Sequence, residues 1–195
     1  MAQGISERKN MMSRILISII MLLAMGFSGC KVPVHETDDI DGGVKTYNSG
    51  ENSPKVIEST EILSFKCEFS LIAAVLEEES ELSGRIYTLD AEQDNGTVKC
   101  KIDWYGRENN SVPREFTADI SFMKKLQAIV KKYDFAQHNG YESVVSGLPH
   151  MYGAKLDIKY ASGESIYAYD NQDCFISLDA IKELVELFNI TESDT

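Results

Sequence analysis

"ILSFKCEFS", residues 62–70, alternates: Phe65, Cys67 and Phe69 fall on one side of an extended chain, and Lys66, Glu68 and Ser70 on the other. That period belongs to a half-buried strand. It returns in "TVKCKIDWY", residues 97–105, with Val98, Cys100, Ile102 and Trp104 inward and Lys99, Lys101 and Asp103 outward. Between them, "GRIYTLDAEQDNGT" supplies a strand around Ile86–Leu89 and a turn at Asp94, Asn95 and Gly96, where Asn and Gly tolerate positive φ. A hairpin around Asn109 and Asn110 leads into a short strand near Arg114–Thr117. Four strands joined by tight turns make a meander with one apolar side.

The period then switches. Ile120, Met123, Leu126, Ile129, Val130 and Tyr133 form one helical stripe, with Asp119 as its N-cap and Lys131 and Lys132 toward the end where cations favour the dipole. After a loop reaching Gly153, "AKLDIKY" and "SIYAYD" alternate around a turn at Ala161–Glu164 and read as a second hairpin. The last helix, "SLDAIKELVELF", is capped by Ser177 and carries Ile181, Leu184, Val185 and Phe188 on one face. The order ββββαββα predicts an α+β fold: an antiparallel sheet of about five to six strands with two helices packed on one face. Leu71–Leu76 either extends the first strand or starts a short helix before the acid run Glu77–Glu79.

Residues 30–55 change character. Gly, Ser, Asn, Pro and acids replace any apolar period, which predicts a flexible acidic linker ahead of a single domain over residues 56–190 and a tail over 191–195. Within it "DDIDGG" lacks the further ligand positions and the closing Glu of an EF-hand.

Upstream, "ILISIIMLLAMGFSGC" runs 13 residues from Ile15 to Phe27 without a charge, where a bilayer span needs roughly 20. Arg14 precedes the run and the small residues Ser28 and Gly29 follow it, the order of a secretory signal. "FSGC" resembles the lipobox of bacterial lipoproteins, with Phe27 where that family usually has Leu. The resemblance implies cleavage after residue 29, lipidation of Cys30 and a body held on the extracytoplasmic face of the cell membrane by lipid alone. Two or more acyl chains suffice for stable residence. The chain offers starts at Met1, Met11 and Met12.

Charge points the same way. The chain carries a net charge of -12, and residues 1–29 hold Glu7 against Arg8, Lys9 and Arg14, so the part from Cys30 onward stands at -14. Such a surface repels phosphate backbones, which excludes a nucleic-acid partner. Acidity of this kind also keeps an exported protein soluble and, by default, monomeric.

The stretch from "ISFMKKLQAIVKKYDFAQHNGY" through "YASGESIYAYDNQ" to the last helix resembles small lipoproteins of Clostridia-like Firmicutes. The likeness covers most of Glu61–Phe188 and implies a shared fold and compartment. It carries over no activity.

Cys67, Cys100 and Cys174 remain once Cys30 is assigned to lipid. Cys67 and Cys100 share the inward face, so a disulfide is open to them if their strands are neighbours; a buried free thiol is the alternative. The loop "YDFAQHNGYESVVSGLPHMYG", residues 133–153, is the richest in polar aromatic groups. His138, Asn139, Tyr141, His150 and Tyr152, together with Asp170 of "YDNQDC", are the candidate binding residues. The histidines lack the spacing of a zinc motif, and no catalytic residue, metal or cofactor is assigned. The expectation is a binding or accessory protein of the envelope, its partner an envelope protein or an extracellular ligand. The alternatives are an enzyme using the 133–153 loop and a protein inhibitor or structural envelope component.

Overall fold

A computed structural model describes residues 36–40, 43–72, 82, 84–106, 113–147 and 153–189. Cys30 and the apolar run before it lie outside these residues, as do His150, Tyr152 and the hairpin around Asn109 and Asn110.

The elements are β1 (Glu36–Ile40), β2 (Gly43–Asn48), β3 (Ile62–Ser70), β4 (Arg85–Asp94), β5 (Thr97–Gly106) and β6 (Arg114–Asp119), then α1 (Ser121–Lys132) and a 3-10 turn, Phe135–His138. They continue with β7 (Glu142–Ser146), β8 (Ala154–Tyr160), β9 (Ser165–Asp170) and α2 (Leu178–Asn189). All nine strands share one sheet in the order β1-β2-β7-β9-β8-β3-β4-β5-β6.

Two expectations are corrected here. The sheet has nine strands rather than five or six, and it is mixed, because β7 runs parallel to β9. The stretch assigned to a linker supplies β1 and β2, an antiparallel hairpin that pairs with β7, so the sheet begins at Glu36 and not after residue 56. The three unexpected strands sit together as one wing of the sheet. They escape a pattern search for one physical reason: β2 has no buried residue and β7 has only Ser143 and Val145, so neither shows a long apolar alternation. Their backbone ladders hold them instead.

The rest of the sheet follows the alternation. Phe65, Cys67 and Phe69 of β3, Tyr87, Leu89 and Ala91 of β4, and Val98, Cys100 and Ile102 of β5 join the inward residues of β8 and β9 in one core with both helices. Helix α1 contributes Phe122, Met123, Leu126, Ile129 and Val130, and α2 contributes Ile181, Leu184, Val185 and Phe188. Each such side chain contributes about 1.5–3 kcal/mol on leaving water. Ile120, expected on the stripe, is exposed, and Phe122 takes the inward place. Ser177 caps α2 by accepting the Ala180 amide at 3.3 Å, whereas the expected cap of α1 is displaced: Ile120, which has no side-chain oxygen, takes the N-cap, and Asp119, one residue earlier, accepts the Ser121 amide at 2.6 Å. Between β4 and β5, Asn95 and Gly96 take φ of 50° and 86°, the left-handed pair that a two-residue hairpin requires.

Trp104 is half-buried rather than enclosed, with the Arg85 guanidinium 3.9 Å over its ring. Cys67 and Cys100 lie on β3 and β5 with β4 between them. Two strand spacings, about 9.6 Å, exceed the reach of a disulfide. Both remain free thiols, that of Cys67 pushed up by burial and that of Cys100 pushed up to about 12 for the same reason.

Candidate functional site

The candidate residues gather where the wing meets the body. Helix α1 ends at Tyr133, and Asp134, at φ 51°, turns the chain into the 3-10 segment that drops Phe135 into the core. His138, Asn139, Gly140 and Tyr141 follow, and they run alongside β9. The Gly140 amide donates to the Tyr167 carbonyl at 2.7 Å, the Tyr169 amide to that of Tyr141 at 2.9 Å, and the Asn171 amide to that of Ser143 at 3.2 Å. This seam is the parallel junction of the sheet.

An asparagine side chain closes it at each end. At one end Asn139 Oδ1 accepts the Tyr167 amide at 3.0 Å, while Asn139 Nδ2 donates to the Pro54 carbonyl at 2.9 Å. At the other, Asn171 takes both backbone groups of Val145: its Oδ1 accepts the amide at 2.8 Å and its Nδ2 donates to the carbonyl at 2.9 Å. Both residues are buried. Each supplies bonds that a backbone neighbour would otherwise supply.

Asp170, 3% exposed, is equally committed. Its Oδ2 accepts the Tyr141 hydroxyl at 2.8 Å, and its Oδ1 accepts the amides of Gln172 and Asp173 at 2.8 and 2.9 Å, closing an Asx turn toward α2. Burial, and then the bond to this carboxylate, raise the Tyr141 hydroxyl above its ordinary value. Phe175 packs between the rings of His138, at 5.0 Å, and Tyr141, at 6.0 Å and edge-on. Burial lowers the pKa of His138, and the charge of Lys55 lowers it further, so the neutral ring is favoured.

The structure therefore brings His138, Asn139, Tyr141 and Asp170 together, but as a joint. Tyr141 and two backbone amides, not an imidazole, hold the Asp170 carboxylate. A general base needs its partner within hydrogen-bond reach, and the ring of His138 lies against Phe175 instead. Among the described residues no group of three or more His, Cys, Asp or Glu is placed to hold a metal ion.

Two participants were missed from sequence. Lys55, assigned to the linker, donates to the carbonyls of Gln137 and Asn139 at 3.0 and 2.7 Å. Asn171 sits in "YDNQDC" beside two acids and reads there as a turn residue. The sequence does carry one trace of the joint, the glycines Gly50 and Gly140. A Cβ on Gly50 would stand 2.5 Å from the Asn139 carbonyl oxygen, and one on Gly140 would stand 1.9 Å from Ser53 Oγ. Both glycines have positive φ.

Among the described residues a concavity lies elsewhere. A groove of about 470 Å³ runs over β3–β6, and its charged lining is Lys66, Asp90, Glu92, Lys99, Lys101 and Glu115. These residues belong to the face of the sheet opposite the core.

No protein-family model, curated protein or solved structure matches the chain.

Proposed function

We propose that the protein is a lipid-anchored extracytoplasmic binding or accessory protein of the cell envelope. One observation carries the reading: Arg14, an uncharged apolar run from Ile15 to Phe27, and then "SGC" ending at Cys30. Among the described residues no helix is long and apolar enough to cross a membrane, so lipid is the attachment the reading assigns. A binding role is favoured over a catalytic one because Asn139, Tyr141 and Asp170 spend their polar atoms on the joint between wing and body. Among the described residues, the charged outer face of the sheet over β3–β6 is one surface open to a partner.

Mass spectrometry of the mature protein tests the anchor: a diacylated or triacylated Cys30 is expected at the N-terminus. Cys30→Ser should move the folded protein out of the membrane fraction or leave it on an uncut signal. An unmodified Cys30 in the mature wild type overturns the reading.

A further inference from the structure

The outward residues of β3–β6 form rows across the strands. One row reads Lys66, Asp90, Lys101, Glu115, and the next reads Ser64, Glu92, Lys99, Thr117. Signs alternate along each, and the line between β4 and β5 divides them so that every charge has its opposite at the mirrored place: Lys66 against Glu115, Asp90 against Lys101, Glu92 against Lys99. Among the described residues these six are all the charged ones that line the groove. They sum to zero on a chain whose net charge is -12. Lys99 is held by Asp94, and the other five make no ion pair among the described residues.

We infer that this face is a docking surface for a second copy of the same chain, turned half a revolution about an axis that runs along the strands between β4 and β5. In a twofold contact the same patch meets itself, so it must complement itself under the rotation. Here it does: Lys66 of each copy meets Glu115 of the other, Asp90 meets Lys101, and Glu92 meets Lys99. Two sheets facing each other in this way have their strands aligned, one of the two arrangements that twisted sheets adopt.

Strand direction supports the same axis independently. The pairings give β1 the direction of β3 and β5. A twofold parallel to the strands preserves that polarity, so Glu36, where β1 begins, lies at the same end of both copies. A twofold across the strands would send the two ends apart. This part of the argument rests on the proposed lipid anchor, because two anchored chains in one bilayer need their N-terminal ends on one side. Exposed ion pairs are individually weak and screened by salt. Confinement to a membrane raises the effective concentration at which such a contact forms.

The test is zero-length carbodiimide cross-linking of the full chain in its own membranes. Within one copy, Lys66 and Glu115 are three strand spacings apart, about 14 Å, so a direct bond between them can form only between copies. A covalent dimer containing a Lys66–Glu115 cross-linked peptide is expected, with its yield falling several-fold from low to high salt. K66E should abolish the dimer while leaving thermal unfolding unchanged, and the swap K66E/E115K should restore it. A membrane-bound chain that yields only monomer, or a dimer indifferent to K66E, overturns the proposal. Should the chain partition into the soluble fraction, the anchor reading fails on its own. The same cross-linking at high protein concentration then decides the face: the Lys66–Glu115 product supports it and its absence overturns it.

Discussion

Asn171 does with one side chain what a strand does with several residues: it satisfies both the amide and the carbonyl of Val145 inside the fold. Asn171→Ala would leave that pair buried and unmatched, at about 1–3 kcal/mol for each group. Denaturant unfolding should show a loss of that order, and hydrogen exchange should show the β7 amides losing protection before those of β3–β5. Tyr160 presents the reverse case. Its hydroxyl is buried beside the amide of Gln127 with no hydrogen bond of good geometry to it, and burial, outweighing the lowering by Gln127, pushes its pKa up to about 12. A raised pKa in the folded state means that the neutral form is favoured there. The associated stability is fully present below the ordinary value of 10.0 and drains away as pH climbs toward 12. Tyr160→Phe should therefore match or exceed the wild type in stability at pH 7 and lose less of it between pH 10 and 12, as thermal melts across that range will show. Neither residue advertises its role in the sequence. The period of "AKLDIKY" places Tyr160 inward, but nothing in it tells that the hydroxyl goes unpaired; Asn171 is one polar letter among four.

At the scale of elements, the sheet divides by what holds each strand. Strands β3, β4, β5, β8 and β9 each bury an apolar side, and their alternation is plain in the sequence. The wing of β1, β2 and β7 is held by main-chain ladders and by the seam to β9, and those forces leave no periodic trace in residue type. Length compounds this, since β1 and β7 have five residues each. A chain beginning at Val56 would lack β1 and β2 as well as Gly50, Ser53 and Lys55, which brace the 3-10 segment. It should keep a cooperative body, because the core of both helices and β3–β5 is complete without them. It should also melt at a lower temperature, lose amide protection in β7 and self-associate through the bared β7 edge. Unfolding as firm as that of the full chain, read by the same melt and exchange measurements, would show the wing to be an ornament.

For the whole molecule, sequence reading recovers the central strands, both helices and the cap of α2, and errs on the cap of α1 and on the extent and direction of the sheet. Of the candidate residues, the four that lie among the described ones come together, and their role was not legible. His138, Asn139, Tyr141 and Asp170 do converge, but polar aromatic composition is the same whether such groups await a ligand or fasten one part of a protein to another. Only their partners, Phe175, Pro54, Tyr167 and two turn amides, separate the cases. If Cys30 is lipidated as proposed, the early start of the sheet sets how far the body can stray from its attachment. On the proposed lipidation of Cys30, only residues 31–35 would stand between the anchor and the start of β1 at Glu36, and five residues span at most about 18 Å. A linker over the whole of 30–55 would reach several times farther. Under that proposal the protein would be kept in a thin layer above the headgroups, where its searching would be lateral rather than outward. Any partner would then have to come to that layer, and neighbours would meet by sliding within it, as two-dimensional diffusion across a surface rather than as capture from the space beyond.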